Sequence, residues 1–203
     1  MAASFNTRTA LADIDPMFLE RWSPRAFSGD PLTPAQVSAL FEAARWAPSS
    51  SNEQPWLFLY AAQPDHLKTY LEILVPANQA WASRAPLLTV LFARRHAMRG
   101  GQPNRLYAFD CGAAWMSLAL QAHKMGLITH GMAGFDAQKA HGLLGVPEDK
   151  FEAMAVIAVG KPGDAAALPL ALLEREKPNA RKAPEEVAIA GYYPAAGAGA
   201  APA

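Results

Sequence analysis

Residues 47–56 read APSSSNEQPW, three serines, an Asn, a Glu and a Gln held between Pro48 and Pro55. Proline fixes its own φ and pushes the residue before it out of the helical region. The stretch is therefore a rigid bend rather than a helix or strand. A helix precedes it. Thr33 opens that helix with Pro34 in the first turn and Gln36 three residues on, a capping-box pattern. Val37, Leu40, Phe41 and Ala44 follow at helical spacing, and Pro48 ends the helix near Trp46. A short apolar and aromatic run, WLFLYAA from residue 56, follows the bend and reads as a buried strand. No His or Cys stands within the bend, so it is poorly suited to nucleophilic or metal chemistry. It suits the close approach of a ligand better. Small side chains allow close approach, hydroxyls and amides serve a polar edge, and the prolines reduce the entropy lost on binding.

Working outward, the chain alternates helical and strand signals. DPMFLERW (15–22) ends a short helix, and SPRAFSGDP breaks it. PDHLKTYLEIL (64–74) is amphipathic, NQAWASRA (78–85) is a further short helix, and PLLTVLFARR (86–95) is a second buried strand. Residues 106–125 carry one charge between Tyr107 and Gln121, at Asp110, so they read as a central helix buried on nearly every face. GLITHGMAGFD (126–136) reads as a glycine-punctuated turn with Asp136 as an N-cap. AQKAHGLLG follows as a helix closed by Gly145, and FEAMAVIAVG (151–160) is a third strand. A charged segment after residue 160 is expected to wrap another surface. The expected organisation is one domain over 1–193 and a disordered Ala/Gly/Pro tail over 194–203.

Composition removes several function classes. The 203 residues hold 18 Lys plus Arg and 18 Asp plus Glu, a balance with no footprint for nucleic acid or an anionic membrane surface. A single cysteine, Cys111, rules out an intrachain disulfide and a multi-cysteine metal site. It reads as a small buried hydrophobe. The chain has no apolar run near the roughly 20 residues that span a bilayer, and its first residues lack a signal-peptide pattern. A cytoplasmic setting is expected. P-loop, G-x-S-x-G and dinucleotide-fingerprint patterns are missing, no metal-ligand spacing occurs, and the five histidines are scattered. Trp46 and Trp56 read as core anchors and Asp110 as a buried partner for an arginine. Reactive side chains are so few that a cofactor is expected to carry any chemistry.

Four pieces remain. RWSPRAF places Arg21, Trp22, Ser23 and Arg25 where two guanidiniums can converge on an anion. The quoted bend is the second piece, Asn78 is the third, and GMAGFD (131–136) with NARKAPEE (179–186) is the fourth. In this order and spacing they resemble the FMN-dependent nitroreductase family from about Met17 to Val187. The resemblance implies an α+β three-layer sandwich, a mostly antiparallel sheet flanked by helices, in a domain-swapped homodimer with FMN at the interface. It implies that Arg21 and Ser23 meet the phosphate or ribityl chain and that Arg25 lies by the pyrimidine edge. Pro48, Ser49 and Ser50 would line the flavin from the partner subunit, with Asn52 fixing that loop. Asn78 would bond the pyrimidine edge, Ala133 and Gly134 would offer backbone N–H groups near N5, and Arg181 or Lys182 would complete the phosphate clamp. Trp81 departs from the family, many of whose members carry Lys there.

The activity so implied takes hydride from NADPH or NADH onto flavin N5. Electrons then pass to a small electron-poor acceptor such as a nitroaromatic or quinone, in ping-pong order and without a catalytic side chain or metal. Relatives that reduce an enal or semialdehyde or remove halide, and a flavin-binding protein without turnover, are the other readings. The loop ARRHAMRGGQPNR (93–105) is expected to edge the site and select the NADPH 2′-phosphate through Arg99 and Arg105.

Overall fold

The computed structural model describes residues 6–193. Four strands, β1 (Trp56–Ala61), β2 (Leu87–Arg94), β3 (Ile128–Met132) and β4 (Phe151–Gly160), form an antiparallel sheet in the order β1-β2-β4-β3. The helices are α1 (Met17–Glu20), α2 (Pro34–Arg45), α3 (Pro64–Ile73), α4 (Pro76–Ala82), α5 (Tyr107–Lys124), α6 (Ala137–Leu144), α7 (Leu170–Leu173) and α8 (Pro184–Val187).

Alternation along β2 explains the layers. Leu88, Val90 and Phe92 enter one core with residues of α3, α4 and α6. Leu87, Leu91 and Ala93 enter a second core with α2 and α5. Side chains two apart share a face of a strand, so a strand buried on both faces reads as a continuous apolar run. The one polar side chain in that run, Thr89, is fully buried and donates its hydroxyl to the Leu59 carbonyl at 2.9 Å. The result is the expected three-layer α+β sandwich.

Most local signals hold. Thr33 and Gln36 form the capping box with bonds of 3.2 and 2.9 Å. Asp136 caps α6 through Lys139 N–H, and Gly145 closes it at φ 67°. Four expectations fail. Residues 128–132 form the edge strand β3 rather than a turn; Gly131 weakens the pattern, yet its missing side chain leaves room for the Trp115 ring. Trp46 is not a core anchor. It is 73% exposed, donates to Glu42 at 2.7 Å, and stacks under Arg45. Asp110 is buried but accepts from Ser50 N–H at 3.2 Å, not from an arginine. Helix α5 buries Cys111, Ala114, Leu118 and Ala122, while Phe109 and Met116 face outward at 77% and 37% exposure. The expected tail at 194–203 lies outside the described residues, among which no helix is long and apolar enough to cross a membrane.

Candidate functional site

A cavity of about 890 Å³ lies between the N-terminal segment, residues 21–25, β3 and residues 174–181. That volume suits a small-molecule ligand. Arg8, Arg21, Arg25, Arg175, Lys177 and Arg181 line it, with Glu174 as the acid among the lining residues. Arg8 bolts three segments together. Its Nε donates to the Asn179 carbonyl at 2.8 Å, and its Nη1 donates to the carbonyls of Leu19 and Arg21 at 3.0 and 2.9 Å. Burial lowers the Arg21 pKa, and the charges of Arg181 and Arg8 lower it further. Arg8 is lowered by burial and then by Arg181. These guanidiniums thus feel one another. Arg21 Nε is buried with no hydrogen-bond partner. Buried donors are almost always paired in native proteins, so this one is a donor left available to a ligand.

Behind the lining residues Arg25 and His130 the packing is aromatic. The Arg25 guanidinium sits 6.0 Å from the Trp81 ring centroid. Trp81, 2% exposed, stacks near Phe27 and approaches the His130 ring at 4.7 Å. His130 Nδ1 lies 3.0 Å from the Pro24 carbonyl. A carbonyl only accepts, so Nδ1 carries the proton and Nε2 of the neutral ring is an acceptor. Burial, the largest cause, holds the His130 pKa below its ordinary value, and Arg25 adds to that. Residues 25–28 are themselves fixed along the end of β4. Gly163 N–H donates to Ala26, Ser28 N–H donates to Lys161, and Phe27 bridges Pro162. Glu176 Oε1 accepts the backbone N–H groups of Arg25 and Ala26 at 2.6 and 3.0 Å.

Asn78 lies one turn before Trp81. Its Nδ2 donates to the Gly134 carbonyl at 2.9 Å, and Val75 N–H donates to the same oxygen at 3.2 Å. The side chain therefore fixes the turn after β3 and keeps Oδ1 as an acceptor. A Cβ at 134 would lie 2.7 Å from Asn78 Nδ2 and 3.1 Å from Val75 Cγ2, so any larger residue would have to displace Asn78 from this bond.

The serine bend stands apart. Ser51, Asn52 and Gln54 adopt φ of 52°, 56° and 45°, a left-handed geometry that costs non-glycine residues energy. Internal bonds hold it. Ser49 Oγ accepts from Gln54 N–H at 2.9 Å, Arg94 donates to the Glu53 carbonyl at 2.6 Å, and the Glu53 carboxylate takes Met98 N–H at 2.7 Å. Pro48, Ser50, Ser51 and Asn52 face solvent. The bend adjoins the Arg94 end of β2, whereas residues 25–28 adjoin its Leu87 end through β4. Eight residues of strand separate them, roughly 25 Å.

Of the expected site residues, Arg21, Trp22, Ser23, Arg25 and Arg181 share the cavity. Asn78 and Gly134 form one bonded turn joined to it through Trp81 and His130, and Ala133 lies between His130 and that turn. Pro48, Ser49, Ser50 and Asn52 do not join them within one chain. Lys182 does not line the cavity. Sequence reasoning missed Arg8, His130, Glu176 and Lys177. Arg8 stands in a run without pattern; the charge-dense LLEREKPNAR (172–181) was a visible signal for the others in the C-terminal segment. Cys111 is inert as read, since burial and then Asp110 push its thiol up to about 12, leaving no thiolate near neutrality.

The family model described as "Nitroreductase family" matches residues 19–75 and 70–161. A solved structure described as an oxidoreductase containing FMN superposes with a TM-score of 0.88 at 40% identity, covering 96% of this chain and 99% of that one. An NADH dehydrogenase of Thermus thermophilus is 26% identical over 179 residues, 72% of this chain and 85% of the relative. An uncharacterised 15.4 kDa protein of Mycolicibacterium smegmatis is 43% identical over 90 residues, 44% of this chain, and the match spans 60% of that protein's length.

Proposed function

The chain belongs to the nitroreductase family, and on that footing we propose that it is an FMN-dependent oxidoreductase passing electrons from NADPH or NADH to an electron-poor acceptor such as a nitroaromatic or a quinone. The observation that carries this reading is the group of Arg8, Arg21 and Arg181 around a buried Arg21 Nε with nothing to bind. Guanidinium forks match phosphate oxygens, and a dianionic phosphate monoester would relieve both the mutual repulsion and the unpaired donor. FMN, when bound, supplies the two-electron chemistry between nicotinamide and acceptor that no side chain here can perform.

The chain's own residues then bind and orient. Arg21 and Arg181 neutralise the phosphate, with Arg8 holding their segments in place. Ser23 would offer a hydroxyl to the ribityl chain, and Trp22 would wall it. Asn78 Oδ1 would accept from the N–H of the pyrimidine edge, and Arg25 would place positive charge at that end. Gly134 keeps the turn flat enough for a ring to approach, with Ala133 and Gly134 presenting backbone N–H groups. The serine bend serves a second copy of the chain. Pro48, Ser49, Ser50 and Asn52 of the partner subunit would line the ring, since their counterparts in the same chain lie a strand's length away. The outward apolar face of α5, with Phe109 and Met116, supports such a homodimer. Residues 1–193 act as one FMN-binding domain in the cytoplasm, where nicotinamide donors are available.

Absorbance spectroscopy tests this. Purified protein incubated with FMN and desalted is expected to keep a yellow flavin spectrum that bleaches on anaerobic NADPH or NADH. A colourless protein that fails to hold added FMN refutes it.

A further inference from the structure

Glu176 is the unusual group behind the cavity wall, bonded to the lining residue Arg25. Its side chain is 4% exposed, and it reaches from the C-terminal segment into a neighbourhood of cations. Oε1 is saturated by the two N–H groups of Arg25 and Ala26. Oε2 is buried, accepts no hydrogen bond, and faces the Arg25 guanidinium at 3.6 Å. Arg25, at 17% side-chain exposure, is held between that carboxylate and the Trp81 ring. Charge-assisted bonds from backbone amides fix a carboxylate firmly, so Glu176 cannot follow Arg25 if the latter swings away. The pair contrasts with Arg8, Arg21 and Arg181, whose resolved influences on one another are all between like charges.

We infer that Glu176 is a positioning residue for Arg25: its carboxylate fixes the backbone that carries Arg25, aims the guanidinium along Trp81, and offsets that guanidinium's charge while the phosphate-facing arginines keep theirs. This rests on the FMN reading for its consequence but not for its geometry. A cation beside a flavin's pyrimidine edge favours the anionic reduced form, so a carboxylate muting that cation lowers the reduction potential. Trp81 adds no charge of its own, which leaves the Arg25–Glu176 balance as the adjustable one.

His130 is a built-in reporter in the protein without flavin, because it senses Arg25 and Glu176 with opposite signs. Glu176→Gln keeps an oxygen for the two amides and removes the charge. NMR titration of His130 is expected to show a lower pKa in Glu176→Gln and a higher one in Arg25→Gln. An unchanged His130 titration in both variants overturns the pairing, whether or not FMN binds. In the FMN-loaded protein, Glu176→Gln is expected to favour reduced over oxidised flavin by about tenfold more than the parent does. For a two-electron couple that is about 30 mV upward. The shift is expected to vanish when Glu176→Gln is made in an Arg25→Gln background. A potential unmoved by Glu176→Gln at intact FMN binding overturns the tuning role. Failure of the parent protein to bind FMN would instead strike the functional reading, leaving the His130 titration to decide the pairing.

Discussion

The serine bend is one unbroken stretch and the cation cavity is gathered from four separate ones; both are polar, yet they satisfy themselves in opposite ways. The bend spends its groups internally on Ser49, Glu53, Arg94 and Asp110. It is rigid and strained before anything reaches it. The cavity leaves a buried guanidinium nitrogen unpaired and holds like charges together. On the proposed reading, one region supplies shape and the other supplies the drive to bind. A ligand that needs both must be gripped by its charged end and merely fitted at its flat end.

The largest expected effect breaks the cavity side. Arg21→Met removes a charge-assisted contact worth about 1.5–3 kcal/mol per bond, so FMN affinity should fall about a hundredfold. The same change relieves repulsion in the empty site, so the melting temperature without ligand should rise. Fluorescence titration and thermal melts read the two signs separately, and a joint fall would mean that Arg21 is structural. Gly134→Ala comes next. Its Cβ meets Asn78 Nδ2, and overpacking of this kind costs about 1–3 kcal/mol. Stability and FMN affinity should drop together, and Asn78→Ala in the same chain should restore part of the stability.

On the side of the bend, Ser51→Gly should be more stable than Ser51→Ala by about 1 kcal/mol, since glycine alone tolerates φ 52° without strain. Urea denaturation compares them. Equal stabilities would deny that the bend is strained. The smallest effect is acid sensitivity at His130. Its folded-state pKa is depressed, so the folded form disfavours the proton. The contribution is present above about pH 6.5, the unfolded value, and is lost as pH falls below it. His130→Gln should flatten that part of the stability–pH profile.

What the sequence disclosed and what it hid follow the same division. Helix α2, its cap and the strands β1, β2 and β4 announce themselves because their signals are local, in capping residues and in apolar runs. β3 hides because an edge strand of five residues carrying His130 and Gly131 looks like a turn until β4 pairs with it. The R-x-S-x-R run and Asn78 were legible as motifs. Arg8 and Glu176 were not, since each acts across more than a hundred residues of chain, on Asn179 and on Arg25. Trp46 misled because apolar character says nothing about direction, and Glu42 and Arg45 hold it outward.

The cavity's role as a phosphate-monoester clamp is tested most directly by calorimetric titration of the flavin-free protein with FMN and with riboflavin, which lacks the phosphate, at several salt concentrations. FMN should bind at least a hundredfold more tightly, with a preference that shrinks as salt rises and disappears in Arg21→Met. Equal affinity for the two flavins, indifferent to salt, would contradict it.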